Sequence, residues 1–271
     1  MPEFSILLPP AEGKKPGGNP LAPSMFDLRA QGTFNFFSEL NPERKRLIDA
    51  LRVAVEAGEG LEDVFGVKGV ALAAAVAANR SLTDAPLMAA LERYSPGVMY
   101  GAMDFATLPT GAQRRLLENA FIFSGVFGLL RPDDLIPNYK LPMDALVPGV
   151  GRVSTFWRPA LSPVLNRALE GRFVWNLLPA AHLDAWDDAH TYAEMVRVAF
   201  AREQRGERTP VSHGVKPLRG HLVAHLVREG AADRLDALRS WRAPDGYRLD
   251  AATMTHDADT RTTTATFVKV G

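Results

Sequence analysis

The stretch that decides the fold is FSILLPPAEGKK, residues 4–15. Its apolar beginning, Phe4–Leu8, is ended by two prolines and predicts a buried first strand. Glycine and proline recur over residues 9–18 and break either regular element, so a loop follows the strand directly. In open α/β sheets, the loops at the carboxyl ends of strands form the ligand crevice. Lys14 follows a glycine in this loop and is therefore a candidate to bind a phosphate or a carboxylate; a solvated turn is the alternative.

Outward from this stretch, strands and helices alternate along the chain. Residues 120–124 form an apolar run without a polar face, which predicts a strand covered on both sides. Residues 260–270 alternate and are rich in threonine, which predicts a last, antiparallel strand. Further strands are predicted at 173–178, 195–201 and 247–249, helices at 41–58, 61–65, 70–78, 84–94, 109–119, 156–169, 218–229 and 232–241, and irregular structure at 125–143. The alternation predicts a mixed α/β (α+β) fold, and because no low-complexity linker divides residues 1–271, we expect a single domain.

Composition excludes several classes of function. The chain has 271 residues, of which 46% are hydrophobic and 23% charged, as in a soluble globular protein with a substantial core. Its 31 basic and 31 acidic residues cancel, so nucleic-acid binding would require a local basic patch. The lack of cysteine excludes disulfides, thiol nucleophiles and cysteine-based zinc sites. The N-terminus lacks a signal-peptide pattern and the apolar run 70–78 is too short for a bilayer, so we expect a cytoplasmic protein without a membrane partner.

A second candidate segment follows the strand at residues 120–124. The glycines of residues 124–132 permit close approach of the backbone to a ligand. Arg131 and Lys140 would then meet an anion, Arg131 in bidentate fashion. The alternative is a structural turn whose arginine caps the C-terminus of a helix.

A third candidate segment, residues 212–225, is rich in histidine. His221 and His225 are four residues apart on one predicted helix face, as zinc ligands often are. No acidic residue lies between them and a third ligand at metal spacing is missing, so we predict no structural zinc. Lys216 and Arg219 lie in the same segment, within a region of ten basic and six acidic residues from 202 to 248. This segment therefore predicts a local basic patch.

Residues 61–73 predict a helix, a tight Gly-x-x-Gly turn and a second helix. The pattern resembles a helix-hairpin-helix motif, although its glycines are one residue further apart than usual. The turn, Gly66, Val67, Lys68 and Gly69, would present backbone amides and the N-terminal N–H groups of the second helix to one phosphate. Such contacts ignore base sequence. The alternative is an αα-hairpin in which Gly66 is only a C-cap.

In order along the chain, these segments resemble the YaaA family of bacterial peroxide-stress proteins. The matching segments are 7–14, 92–100, 123–134, 139–141, Phe156 with Trp157, Ser212 with His213, Lys216, and 219–222. The resemblance implies a single-domain mixed α/β fold of the so-called cantaloupe type, with a helix-hairpin-helix within residues 42–80 beside a positively charged cleft. It also implies a role in limiting oxidative damage when hydrogen peroxide rises, linked to lower intracellular iron and to DNA binding.

The sequence departs from this family at two places. Ala11 stands where the family usually has a hydroxyl residue, and Pro179 and His182 stand where a serine and a tyrosine usually follow the strand. Any chemistry assigned to those hydroxyls does not transfer to this chain.

Two hypotheses of different classes follow. The first is a monomer that binds double-stranded DNA without sequence preference, helps to limit iron-dependent damage and has no catalytic cycle. The alternative is an enzyme for a small anionic or nucleotide-like substrate; no residue is identified as catalytic and no cofactor is indicated. An iron chelator is disfavoured because no ligand cage of recognised spacing is present. The candidate cleft residues are Lys14, Arg93, Tyr94, Tyr100, Ser124, Arg131, Tyr139, Lys140, His213, Lys216 and Arg219. A pocket of small-molecule size would favour the enzyme, and an open basic groove would favour DNA.

Overall fold

The computed structural model describes residues 4–22, 36–211, 214–229 and 234–271. Its strands are β1 (Phe4–Leu8), β2 (Met88–Ala89), β3 (Ala120–Ser124), β4 (Gly128–Leu130), β5 (Leu135–Ile136), β6 (Leu146–Val147), β7 (Gly151–Arg152), β8 (Phe173–Asn176), β9 (Glu194–Gln204), β10 (Glu207–Pro210), β11 (Arg248–Leu249), β12 (Thr255–Asp257) and β13 (Thr262–Val270). Its helices are α1 (Asn41–Ala57), α2 (Leu61–Phe65), α3 (Gly69–Arg80), α4 (Ala90–Arg93), α5 (Val98–Met103), α6 (Thr110–Asn119), α7 (Val153–Leu169), α8 (Ala180–Leu183), α9 (Lys216–Glu229) and α10 (Asp236–Ser240).

The central sheet is mostly parallel, with strand order β11-β13-β9-β8-β1-β3-β4. β1 pairs in parallel with both β3 and β8, with Leu7 opposite Phe121 and Asn176. Every residue of β1, β3 and β8 is buried, because helices and loops cover both faces of the sheet here. The expected mixed α/β fold is confirmed.

The strand order creates a crevice beside β1. The chain passes from β1 to β3 on one side and later reaches β8 on the other side of β1. The loops that leave β1 and β8 therefore diverge at the carboxyl edge of the sheet, where open α/β folds bind their ligands. The first of these loops carries Lys14.

The last strand runs in a different direction from the one expected. β13 pairs in parallel with β9 along its whole length, from Thr262 opposite Met195 to Val270 opposite Glu203, and is antiparallel only to the short strands β11 and β12. β10 runs back along β9, and β12 runs antiparallel to β13 directly before it, so β13 starts at the same end of the sheet as β9. Alternation alone predicted a strand but not its direction.

Two further predictions are corrected. The helix expected at 84–94 is replaced by β2 and the short α4, because β2 pairs with β5 and Leu87 bridges to Asn19. The segment 125–143, expected to be irregular, contains β4 and β5. In both places tertiary pairing determines the structure over local propensity.

The first long helix forms as its end signals predict. α1 has Pro42 in its first turn and stops at Gly58, which adopts φ 76° as a left-handed C-cap. Asn41 is the first helical residue, and its side chain accepts a hydrogen bond from Arg44. None of the helices within the described residues is long and apolar enough to cross a membrane.

Candidate functional site

A concave cleft of about 540 Å³ opens at the carboxyl edge of the sheet. The loop after β1 and the loop after β8 form two of its walls, as the crevice beside β1 requires. The start of α5, residues 139–144 and the start of α9 complete the wall. Five separate parts of the chain therefore meet here.

Lys14 extends into this cleft and has no ion-pair partner among the described residues. Its Nζ donates a hydrogen bond to the carbonyl of Ala11 at 3.0 Å and lies 4.2 Å from the ring centre of Tyr139. Burial, and then the charge of Lys140, lower the pKa of Lys14 to about 7, while Glu12 acts in the opposite direction. Near neutral pH a large fraction of Lys14 is consequently a neutral amine.

A chain of buried hydroxyl groups lies directly behind Lys14. The Tyr139 hydroxyl is 2.6 Å from that of Tyr94 and 2.7 Å from Oγ of Ser124, which accepts a hydrogen bond from the Phe127 N–H. Burial raises the pKa of Tyr139 to about 12, so the phenol stays protonated. Tyr100 donates its hydroxyl proton to the carbonyl of Pro9, which fixes the loop after β1. The chain of hydroxyls can orient or relay a proton below the cleft floor.

Three more cations line the cleft. Lys140, with a side chain only 19% exposed, lies 3.7 Å from the carboxylate of Glu12. Lys216 is exposed at the first residue of α9, and Arg219 follows less than one turn later. The buried Nε of Arg219 has no hydrogen-bond partner within the described part of the chain, and burial lowers the pKa of this side chain. These groups surround the N-terminal end of a 14-residue helix, which itself favours an anion.

His182 is a lining residue that the sequence analysis noted only as a departure from the family. Both of its ring nitrogens are buried without a hydrogen-bond partner in the part of the chain described. Burial lowers the pKa of His182 to about 4, so the imidazole is neutral and offers one donor and one acceptor. The sequence signal for His182 was weak: it consists only of the position shortly after β8, as Lys14 follows β1.

Arg131 does not belong to the cleft. It follows β4, and because β4 runs antiparallel to β3, its end lies at the opposite edge of the sheet. There its guanidinium donates to the Leu117 carbonyl in the last turn of α6 at 2.6 Å and packs on Phe36 and Phe121. The alternative interpretation of this arginine, a cap on a helix C-terminus, is the one observed.

Other predicted residues are placed behind the cleft or outside the described chain. Arg93 is buried and donates to the carbonyls of Lys15, Pro86 and Ile136, so it supports the loop that carries Lys14 rather than facing a ligand. Tyr94 and Ser124 lie behind the cleft wall, where both bond to the Tyr139 hydroxyl and the Tyr94 ring also packs near Lys14 and Tyr100. His213, with Ser212, lies outside the described residues.

The two histidines on α9 have different surroundings. His221 is exposed on α9, whereas Nε2 of His225 lies 2.8 Å from the carbonyl of Ala237. Within the described residues, no group of three or more His, Cys, Asp or Glu side chains could hold a metal ion. The expected lack of structural zinc stays a prediction.

The Gly-x-x-Gly turn joins α2 to α3 on the surface. Gly66 adopts φ 63° and its N–H closes α2 on the Glu62 carbonyl, as a C-cap does. Lys68 is the N-cap residue of α3, its side chain is 83% exposed, and its Nζ lies 3.4 Å from Glu62. The geometry fits a capped αα-hairpin and leaves the N-terminus of α3 open to solvent.

Fold and cleft together define a mixed α/β protein with a crevice lined by cationic side chains at the switch point of its sheet. The family model described as "Peroxide stress protein YaaA" matches residues 4–253. The chain is 33% identical over 254 residues to a UPF0246 protein of Streptomyces coelicolor, covering 91% of this chain and 92% of that protein. It is 34% identical over 231 residues to a UPF0246 protein of Corynebacterium efficiens, covering 82% and 84%. The chain belongs to the YaaA family of peroxide stress proteins, and the family resemblance seen in the sequence is confirmed.

Proposed function

We propose that this peroxide stress protein acts by binding a small anionic, nucleotide-like ligand in the cleft. The observation that carries the proposal is that four cationic side chains line one cleft, whose volume is about 540 Å³. They are Lys14, Lys140, Lys216 and Arg219. Small-molecule sites have volumes of roughly 300–1,000 Å³, so the cleft has the size of a site for a nucleotide rather than for a duplex. The geometry favours the enzyme-like hypothesis over the DNA-binding one at this site.

The cleft offers separate surfaces to the two ends of such a ligand. Lys216, Arg219 and the N-terminus of α9 suit a phosphate, because a guanidinium fork and helix N–H groups both bind phosphate oxygens. Val98 and Met143 line an apolar part of the wall that suits a base or another flat group. The Nε of Arg219 gains a partner only when a ligand is bound.

Replacing Arg219 by alanine is expected to weaken binding of adenosine monophosphate about 10- to 150-fold. That range corresponds to one charge-assisted hydrogen-bonding group, roughly 1.5–3 kcal/mol. Isothermal titration calorimetry with the monophosphate and with adenosine measures the effect, and adenosine should bind at least about tenfold more weakly to the parent.

Arg228→Ala is the matched control, because this exposed arginine lies at the far end of the same helix. It should bind the monophosphate as the parent does. Equal affinity of the parent for adenosine and its monophosphate, or an Arg219→Ala variant with parental affinity, would contradict the proposal.

A second candidate function is binding of double-stranded DNA at the turn between α2 and α3. The observation that favours it is the highly exposed Lys68 at the open N-terminus of α3, beside Gly69, around which a side chain would meet open space. Backbone N–H groups there can bind one phosphate without reading bases. A protein spread along duplex phosphates in this way would occupy positions where iron generates radicals, and so help to limit iron-dependent damage. Glu62 beside Lys68 opposes this role, which is why it ranks second.

Lys68→Glu is expected to weaken duplex binding to every sequence alike and to flatten its dependence on salt. The reason is that the variant releases one counterion fewer, which lowers the slope of log K against log salt by about 1. Fluorescence anisotropy with two duplexes of unrelated sequence, at several salt concentrations, measures both effects. Lys45→Glu makes the same charge change at an exposed site on α1 and should change the slope less. Equal affinity of the parent and Lys68→Glu for the duplexes would exclude the turn between α2 and α3 as the DNA-binding site.

A further inference from the structure

Lys14 is placed differently from the other cations of the cleft. Lys140 has Glu12 at 3.7 Å, and Lys216 is exposed to solvent. Lys14, by contrast, has no carboxylate partner among the described residues and makes only one hydrogen bond, to the Ala11 carbonyl. An amine that donates one hydrogen bond keeps its lone pair available toward the cleft.

We propose that Lys14 forms a Schiff base with an aldehyde or ketone that carries a phosphate or carboxylate and binds in the cleft. The proposal rests on the anion-binding function argued above and adds a reaction to it. A lysine that is desolvated and held next to another cation is the type of lysine that serves as an amine nucleophile. Lys14 meets both conditions, since burial and then the charge of Lys140 are the largest effects that oppose its protonation.

The reaction needs no oxidant and no reductant. The lone pair of Nζ attacks the carbonyl carbon, a C–N bond forms, and the C=O electron pair moves to the oxygen, which takes a proton from water. Nitrogen then loses its two protons to water, the oxygen takes a second proton from water and leaves as a water molecule, and a C=N bond remains. Amine and carbonyl compound thus give imine and one water.

The surroundings of Lys14 support each requirement of this reaction. Lys140, Arg219 and Lys216 line the same cleft and can hold the anionic group of the substrate. The rings of Tyr139 and Tyr94 lie 4.2 and 5.6 Å from Nζ of Lys14, and the hydrogen bond between their hydroxyls holds both rings beside the amine.

The charges facing Lys14 determine how the reaction depends on pH. Lys140 and Arg93 disfavour its ammonium form and Glu12 favours it, while the ring faces of Tyr139 and Tyr94 also favour the cation. Burial outweighs the favourable contacts and brings the pKa of Lys14 to about 7. An exposed lysine has a pKa of about 10.4, so the reaction at Lys14 should approach its plateau above pH 8, where exposed lysines still gain rate steeply.

The test uses pyridoxal 5′-phosphate, an aldehyde with a phosphate, followed by borohydride reduction and mapping of the label by mass spectrometry. At pH 7.5 we expect Lys14 to be labelled at least about tenfold faster than the exposed Lys45 and Lys68, as the pKa difference implies. Inorganic pyrophosphate should slow the label at Lys14 and leave the exposed lysines unaffected. Because the site of the label is read on the parent protein, the result does not depend on whether a variant folds.

A non-reactive analogue separates this proposal from the anion-binding function. Pyridoxine 5′-phosphate lacks the aldehyde, and calorimetry should show that it binds the parent protein. If the analogue binds but Lys14 is labelled no faster than exposed lysines, the Schiff-base proposal is wrong and anion binding stands. If the analogue does not bind but Lys14 is still labelled selectively, the amine is reactive and the anion-binding function is wrong.

Discussion

Replacing Arg44 by methionine is expected to lower the free energy of unfolding by about 3–5 kcal/mol, the cost typical of breaking a buried charged network. Arg44 is fully buried on α1, and its guanidinium donates to the carbonyls of Phe127 and Leu129 at 3.0 and 2.8 Å. The Phe127 carbonyl directly precedes β4, and the Leu129 carbonyl lies within it. Because β4 is the terminal strand of the sheet, Arg44 supplies hydrogen-bond donors to backbone carbonyls at an otherwise unpaired edge. Methionine keeps most of the volume and none of the donors, which leaves buried carbonyls unpaired.

Urea unfolding followed by circular dichroism measures this loss. Burial lowers the pKa of Arg44 to about 10, so the side chain is charged throughout the neutral range. Arg52→Met, at an exposed position of the same helix, is the control and should stay within about 0.5 kcal/mol of the parent. A variant at Arg44 as stable as the parent would show that β4 does not need this guanidinium.

Replacing Gly220 by alanine is expected to destabilise the protein by about 3 kcal/mol and to weaken anion binding as well. A Cβ at this position of α9 would lie 2.1 Å from the Met99 carbonyl and 2.9 Å from the Met103 N–H on α5. Backbone cannot yield as a flexible side chain can, so the two helices must separate, which costs energy as overpacking does. Arg219 precedes Gly220 on α9, so it would move with this helix. The positions of the cationic side chains around the cleft would then change.

Gly111→Ala is a matched control on another helix. Its Cβ would meet only the mobile end of Arg115 at 3.5 Å, so alanine should stabilise the protein by up to about 1 kcal/mol through its higher helix propensity. Thermal unfolding of both variants, with calorimetric titration of adenosine monophosphate, checks the pair. If Gly220→Ala had the same thermal stability and the same affinity for adenosine monophosphate as Gly111→Ala, the close contact between α5 and α9 would not contribute to stability or to binding.

Much of the cleft was predictable because its residues follow elements with strong patterns. Lys14 follows the apolar run of β1, and Lys216 begins a helix with clear periodicity. Loops at the carboxyl ends of the parallel strands of an open α/β sheet lie along one edge of that sheet. Residues that directly follow such strands are therefore expected to lie close to one another. His182 escaped this reasoning because a lone histidine after a strand has no pattern that separates ligand binding from packing.

The sequence by itself determined which segments are buried strands, where α1 ends, and which family the chain resembles. Only the tertiary structure decided that β13 runs parallel to β9 and that Arg131 caps α6 at the far edge of the sheet. The physical reason is the same in both cases. Hydrophobic pattern records whether a residue is buried, whereas the direction of a strand depends on where the connecting helices and turns return the chain. Because β4 turns back along β3, Arg131 lies at the opposite edge of the sheet from Ser124, only seven positions earlier in the sequence. No local signal records that reversal.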